Sequence, residues 1–324
     1  MIDFFNSMDS VRDNLLKNGY LVNRKVATTV FLAIQMQKPL LVEGPAGVGK
    51  TELACALART AGAELIRLQC YPGLDEAKAL YEWNYQKQLL YLQAMRENAS
   101  WEEIQTGVYT PEFLLPRPVL KAFLSPRQAV LLVDEIDKSD DELESFLLEA
   151  LSDYQVSIPE LGTVKARHKP MVIITSNNTR DFSDALKRRC LHLYIPFPDQ
   201  KTEEAIISMH LKGINRSLAG QVSVFLAQVR KMALRKMPGI SETIDWARSL
   251  MTLNTTELDP EAARLTLNAL IKYEEDVAAV ESKLEDLIPP PEIPREKQDQ
   301  PGSPASPAPG NSPAVSDVLA RFNF

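Results

Sequence analysis

LLVEGPAGVGKTELA, residues 40–54, passes from a short apolar run through a glycine-rich turn into a stretch with Leu53, Ala54, Leu57 and Ala58 at helical spacing. Gly44, Pro45, Ala46, Gly47, Val48, Gly49, Lys50 and Thr51 fit the spacing G-x-x-x-x-G-K-[ST] between a predicted strand and a predicted helix, the context that gives this pattern meaning. Glycines at these positions let successive backbone N–H groups face one phosphate, and the helix start adds its positive end. Lys50 then supplies a cation between two phosphates, and Thr51 an oxygen ligand for Mg²⁺.

Working outward, residues 23–37 carry Val26, Val30 and Ile34 on one helical face, and 64–68 read as a second strand. Residues 75–97 hold apolar and aromatic side chains at roughly helical intervals where a simple crossover would be shorter, which predicts a helical insert over about 70–110. Ala129–Val133 is continuously apolar, as a central parallel strand is. A helix is expected over 140–154, a β-hairpin over about 154–169, a strand over 171–175 and another over 191–195. Strands alternating with helices predict a parallel α/β sheet in a three-layer αβα core over residues 1–198, and 199–286, helical in pattern throughout, predicts a smaller all-α domain. Residues 287–314 are proline-rich and poor in core formers, the composition of a disordered linker. Residues 315–324, VSDVLARFNF, regain an amphipathic spacing that suits either a frayed end or a tethered docking peptide.

The strand VLLVDE ends in Asp134 and Glu135, two carboxylates at a carboxyl edge beside the phosphate loop. Asp134 is placed to hold Mg²⁺, and Glu135 to polarise a water that attacks the terminal phosphate. Asp137, Asp140 and Asp141 suit a helix N-terminus. Asn177, after the strand at 171–175, can orient the same water, although Asn-Asn after a strand also makes an ordinary turn. Arg188 and Arg189 end a short helix, where a guanidinium can reach a neighbouring subunit's phosphate or cap the helix end.

With 45% hydrophobic and 24% charged residues, the 324-residue chain is expected to fold as a globular protein in the cytoplasm, with no run apolar enough to span a membrane. A net charge of −7 argues against a surface built to coat nucleic acid. Cys55, Cys70 and Cys190, and His168, His192 and His210, lack metal-ligand or disulfide spacing.

Phosphate loop, Asp-Glu strand end, strand-terminal Asn and Arg-Arg, in this order and followed by helices, resemble the AAA+ superfamily over residues 10–285. The phrases LLVEGPAGVGKTELA, YEWNYQKQLL, DALKRRCLHLYIPFP and GISETIDWA are similar to the MoxR family, and within it to the carbon monoxide dehydrogenase accessory branch. The resemblance implies an ATPase that uses ATP and Mg²⁺ in a homo-oligomeric, hexameric ring. It also implies a partner with a von Willebrand factor A domain and a metalloenzyme client. It carries Lys50, Thr51, Asp134, Glu135 and Asn177 into nucleotide roles, Arg189 and then Arg188 into the trans finger, and Tyr20 and Val22 into the neighbourhood of adenine. The lid arginine of many relatives is missing from Gly239–Thr243, with Arg235 and Lys236 just upstream.

Other nucleotide classes fit less well. A switch GTPase needs an Asn/Thr-Lys-x-Asp motif that does not occur after Glu135, and a small-molecule kinase has little use for the arginine pair. A decayed scaffold is opposed by the intact Lys50 and Glu135. A nucleic-acid-remodelling AAA+ ATPase is the alternative that would use the same residues, with the acidic balance against it.

Overall fold

The computed structural model describes residues 5–95 and 107–289; the proline-rich stretch from 290 onward and VSDVLARFNF lie outside the described residues. The chain divides into two compact units, one of Met1–Pro45 with Gly49–Pro196, the other of Ala46–Val48 with Phe197 onward.

The first unit is built on a five-stranded sheet of β1 (Leu40–Glu43), β2 (Leu65–Gln69), β5 (Val130–Asp134), β8 (Met171–Ser176) and β9 (Leu191–Tyr194). Its order is β2-β5-β8-β1-β9, and every pairing is parallel. Alternate side chains of β5 show why it is an interior strand. Leu131 and Val133 enter one buried apolar cluster with Leu120, Phe123 and Leu147, while Val130 and Leu132 enter the other with Leu53, Leu57 and Val30. Both faces are thus covered by helices, as an all-parallel sheet requires. The result is the αβα fold class expected of a phosphate-loop protein, followed by a helical region.

Two differences from the sequence reading have physical causes. A helix at Met8–Lys17, capped by Ser7, precedes the first one expected. Residues 75–97 are not helical throughout: helices Glu76–Leu80 and Tyr85–Met95 flank a strand, β3 (Tyr81–Trp83). This strand pairs antiparallel with β4 (Leu114–Pro116). Tyr81 and Trp83 meet edge to face, and Trp83 meets Tyr109 in the same way, so tertiary packing overrides the helical spacing. Pro118 starts the helix Pro118–Leu124, since its missing N–H costs nothing in a first turn. The hairpin strands β6 (Gln155–Ile158) and β7 (Gly162–Lys165) stand apart from the main sheet.

The second unit packs helices Gln200–His210, Arg216–Val229, Ile240–Thr252 and Pro260–Leu270 around Phe225 and Trp246, whose rings lie 4.9 Å apart. The Trp246 indole N–H donates to Thr266 Oγ1 at 2.8 Å. Glu203 is 1% exposed and accepts from both terminal nitrogens of Arg230, at 2.7 and 2.8 Å, and from Thr243 Oγ1. Arg235 stacks on Tyr273, and the Lys236 ammonium reaches Glu242 at 3.4 Å. Among the described residues no helix is long and apolar enough to cross a membrane.

Candidate nucleotide site

The polar groups singled out in the sequence meet at the carboxyl edge of β5, β8 and β1. Gly49, at φ 92°, is the residue before the helix Lys50–Ala61, and a side chain there would be strained in that left-handed conformation. Lys50 follows it and is buried. Its ammonium donates to Gly44 O at 2.8 Å, Pro45 O at 2.7 Å and Asn177 Oδ1 at 2.9 Å. Burial pushes the Lys50 pKa down, and the nearby charges of Asp137, Asp134 and Glu135 oppose that shift.

Asp134 is 1% exposed and fully engaged. Its Oδ1 accepts from Thr51 Oγ1 at 3.0 Å and Thr175 Oγ1 at 2.5 Å, and its Oδ2 from Arg67 Nη2 at 2.5 Å. Glu135, at φ 58°, occupies the left-handed region, an uncommon and costly conformation for a side chain of this size. Its N–H donates to Thr175 Oγ1 at 2.9 Å, so one threonine fixes both members of the acidic pair. The Glu135 Oε2 accepts from Gln69 Nε2 at 2.9 Å and Lys138 Nζ at 2.7 Å. Contact with that carboxylate raises the Lys138 pKa.

Thr51 and Asp134 present a hydroxyl and a carboxylate oxygen 3.0 Å apart, hard donors that suit Mg²⁺. That ion ordinarily takes one or two protein ligands, waters and substrate phosphates, so the small donor set fits. Among the described residues no group of three or more His, Cys, Asp and Glu could hold a metal by itself.

The remaining candidates are placed as follows. Tyr20 donates to Gly49 O at 3.1 Å, at the end of the phosphate loop, and its burial pushes the phenol pKa well up. Val22 is buried in the apolar cluster with Val26 and Leu53. Within the loop Ala46 and Gly47 are exposed and Val48 is buried, and these three group with the second unit. Arg188 and Arg189 close the helix Asp184–Arg189 and are both exposed. Arg189 Nε donates to Ser152 Oγ at 2.8 Å, whereas Arg188 makes no hydrogen bond or ion pair among the described residues.

Burial pushes the Cys70 and Cys190 thiols up to about 12. His192 is tied to the site region by Nε2, which lies 2.5 Å from Glu43 Oε2.

Sequence reasoning missed Arg67, Gln69, Thr175 and Lys138. A polar Thr inside the apolar strand MVIITS, and polar residues alternating with Ile66 and Leu68 at the end of β2, were the available signals.

This arrangement, a parallel αβα sheet with a glycine-rich loop, an acidic strand end and an adjacent Asn at one edge, is that of a phosphate-loop fold. Residues 39–190 match the AAA domain of the dynein-related subfamily. A domain of that class supports nucleotide binding and ATP-driven activity. An uncharacterized protein of Staphylococcus haemolyticus (strain JCSC1435) is 24% identical over 282 residues, which cover 84% of this chain and 99% of the relative.

Proposed function

We propose that this chain is a MoxR-like ATPase that hydrolyses ATP in a homo-oligomeric ring, a hexamer, and uses turnover to remodel a partner protein. The dynein-related AAA subfamily includes MoxR-like ATPases, which supports the narrower reading. The observation that carries it is the convergence of Lys50, Thr51, Asp134, Glu135 and Asn177 within hydrogen-bond reach of one another or of a common partner.

In this reading Lys50 grips the β- and γ-phosphates, and Thr51 and Asp134 hold Mg²⁺. When bound, Mg²⁺ neutralises charge on the phosphate oxygens. Glu135 takes a proton from the attacking water as the oxygen bonds to the γ-phosphorus, and ADP leaves. Its Oε1 accepts no hydrogen bond among the described residues and is the oxygen available for that water. Asn177 orients the water, and Tyr20 and Val22 lie toward the adenine. Arg189, with Arg188 second, supplies the trans guanidinium. The partner that fits is a von Willebrand factor A-domain protein, and the client a metalloenzyme under maturation in the cytoplasm.

Calorimetry and phosphate release with Mg²⁺ and ATP test the reading. The wild type should bind and turn over, and Lys50→Ala should do neither; a folded wild type without binding heat or phosphate release ends the proposal. For Arg189→Ala we expect a loss of about 10³ to 10⁵ in turnover, partly restored by mixing with Glu135→Gln subunits. Failure of every mixing ratio, with Arg188→Ala included, counts against a finger acting between subunits.

A further inference from the structure

Asp137 looks at first like one more acid at a helix N-terminus. It lies instead in a three-residue turn, Ile136–Lys138, ahead of the helix Asp141–Asp153, and both of its oxygens are directed elsewhere. Its side chain is buried. Oδ1 accepts from the Asn177 backbone N–H at 3.1 Å, and Oδ2 from Thr179 Oγ1 at 2.6 Å. These two donors bracket Asn178, which sits at φ 60° and donates its N–H to Ser176 Oγ at 2.9 Å. A carboxylate therefore spans a left-handed turn that would otherwise have few holds on its shape. On the other side of that backbone, the Asn177 carboxamide oxygen lies on the Lys50 ammonium.

The far end of the loop is held in a similar way. Buried Glu144 accepts from Ser183 N at 3.0 Å and from Ser183 Oγ at 2.5 Å. Only the Asp137 end carries the residue that touches Lys50.

We propose that Asp137 is a positioning residue for ATP hydrolysis that acts through Asn177: it clasps Asn177 N–H and Thr179 Oγ1 and so aims the Asn177 carboxamide. The inference rests on the ATPase reading above.

The test is turnover of ATP, together with calorimetric affinity for a non-hydrolysable ATP analogue, in the full chain. Asp137→Ala should lower kcat by about tenfold or more while the affinity moves less than about twofold, because orientation is lost and the phosphate grip is kept. Combined with Asn177→Ala, it should slow turnover no further than Asn177→Ala alone. Asp137→Asn should recover most of the rate, since its oxygen can face Asn177 N–H while its NH₂ group donates to Thr179 Oγ1. Should Asp137→Ala fail to fold, Thr179→Val removes one of the two holds and should give a smaller loss of kcat, again non-additive with Asn177→Ala.

Wild-type kcat in Asp137→Ala, additive losses in the double variant, or no effect of Asn177→Ala each overturn the proposal. If the wild type itself has no turnover, the ATPase reading fails and this inference falls with it. Turnover in the wild type with any of those three outcomes removes the positioning role alone.

Discussion

Two buried acid clusters, one in each unit, use similar chemistry to opposite ends. In the second unit Glu203 meets Arg230 through both carboxylate oxygens and adds Thr243, so the charge is matched inside a closed helical core. At the sheet edge of the first unit Asp134, Glu135 and Asp137 gather near Lys50, and Asp134 also meets Arg67 while Glu135 meets Lys138. That edge also holds Glu135 and Asn178 in left-handed backbone, and the Glu135 side chain remains 32% exposed. A saturated, closed pair secures helix packing. A strained, open one is what the proposed reaction calls for.

If this contrast is right, the two clusters should fail in different assays. The largest effect is expected for Glu135→Gln, which should cut turnover by about 10² to 10⁴ while ATP stays bound and thermal stability holds, because only water activation is lost. Unchanged turnover would remove Glu135 from its role.

Arg230→Ala should instead cost about 3–5 kcal/mol of unfolding free energy, read by denaturant melts, because it leaves Glu203 buried and unpaired. Burial already raises the Glu203 pKa, against the pull of Arg230 and Thr243. With the folded value above the unfolded one, protonation favours the native state. The contribution of this group is complete below the ordinary glutamate pKa and is lost as pH rises through the folded value. Without Arg230 the shift grows, so the defect should shrink in acid; a defect that does not depend on pH would deny the unpaired carboxylate.

The smallest effect is expected for Thr175→Val, which keeps the shape of the strand and removes the hydroxyl shared by Asp134 and Glu135. Turnover should fall roughly tenfold, about 1.4 kcal/mol, with near-normal folding. A stability loss without a rate loss would make Thr175 part of the scaffold instead.

Much of the site was readable because its strongest groups are close in sequence. Gly44 to Thr51 is one loop and helix start, and Asp134 and Glu135 are neighbours at a strand end. The αβα class followed from strands alternating with helices. The strand Tyr81–Trp83 was concealed, since aromatic residues at helical spacing satisfy either period until a partner strand is known. Arg67 and Gln69 were concealed for a related reason. Their position depends on β2 lying beside β5, with Gln69 level with Asp134.

By itself the sequence determined a glycine-rich loop and an acidic strand end, because each is written in consecutive residues whose backbone geometry is local. Tertiary structure alone decided that β8 lies between β5 and β1. That order brings Asn177 onto Lys50 across 127 positions and lets Thr175 hold both acids, and no spacing along the chain encodes which strand becomes the neighbour.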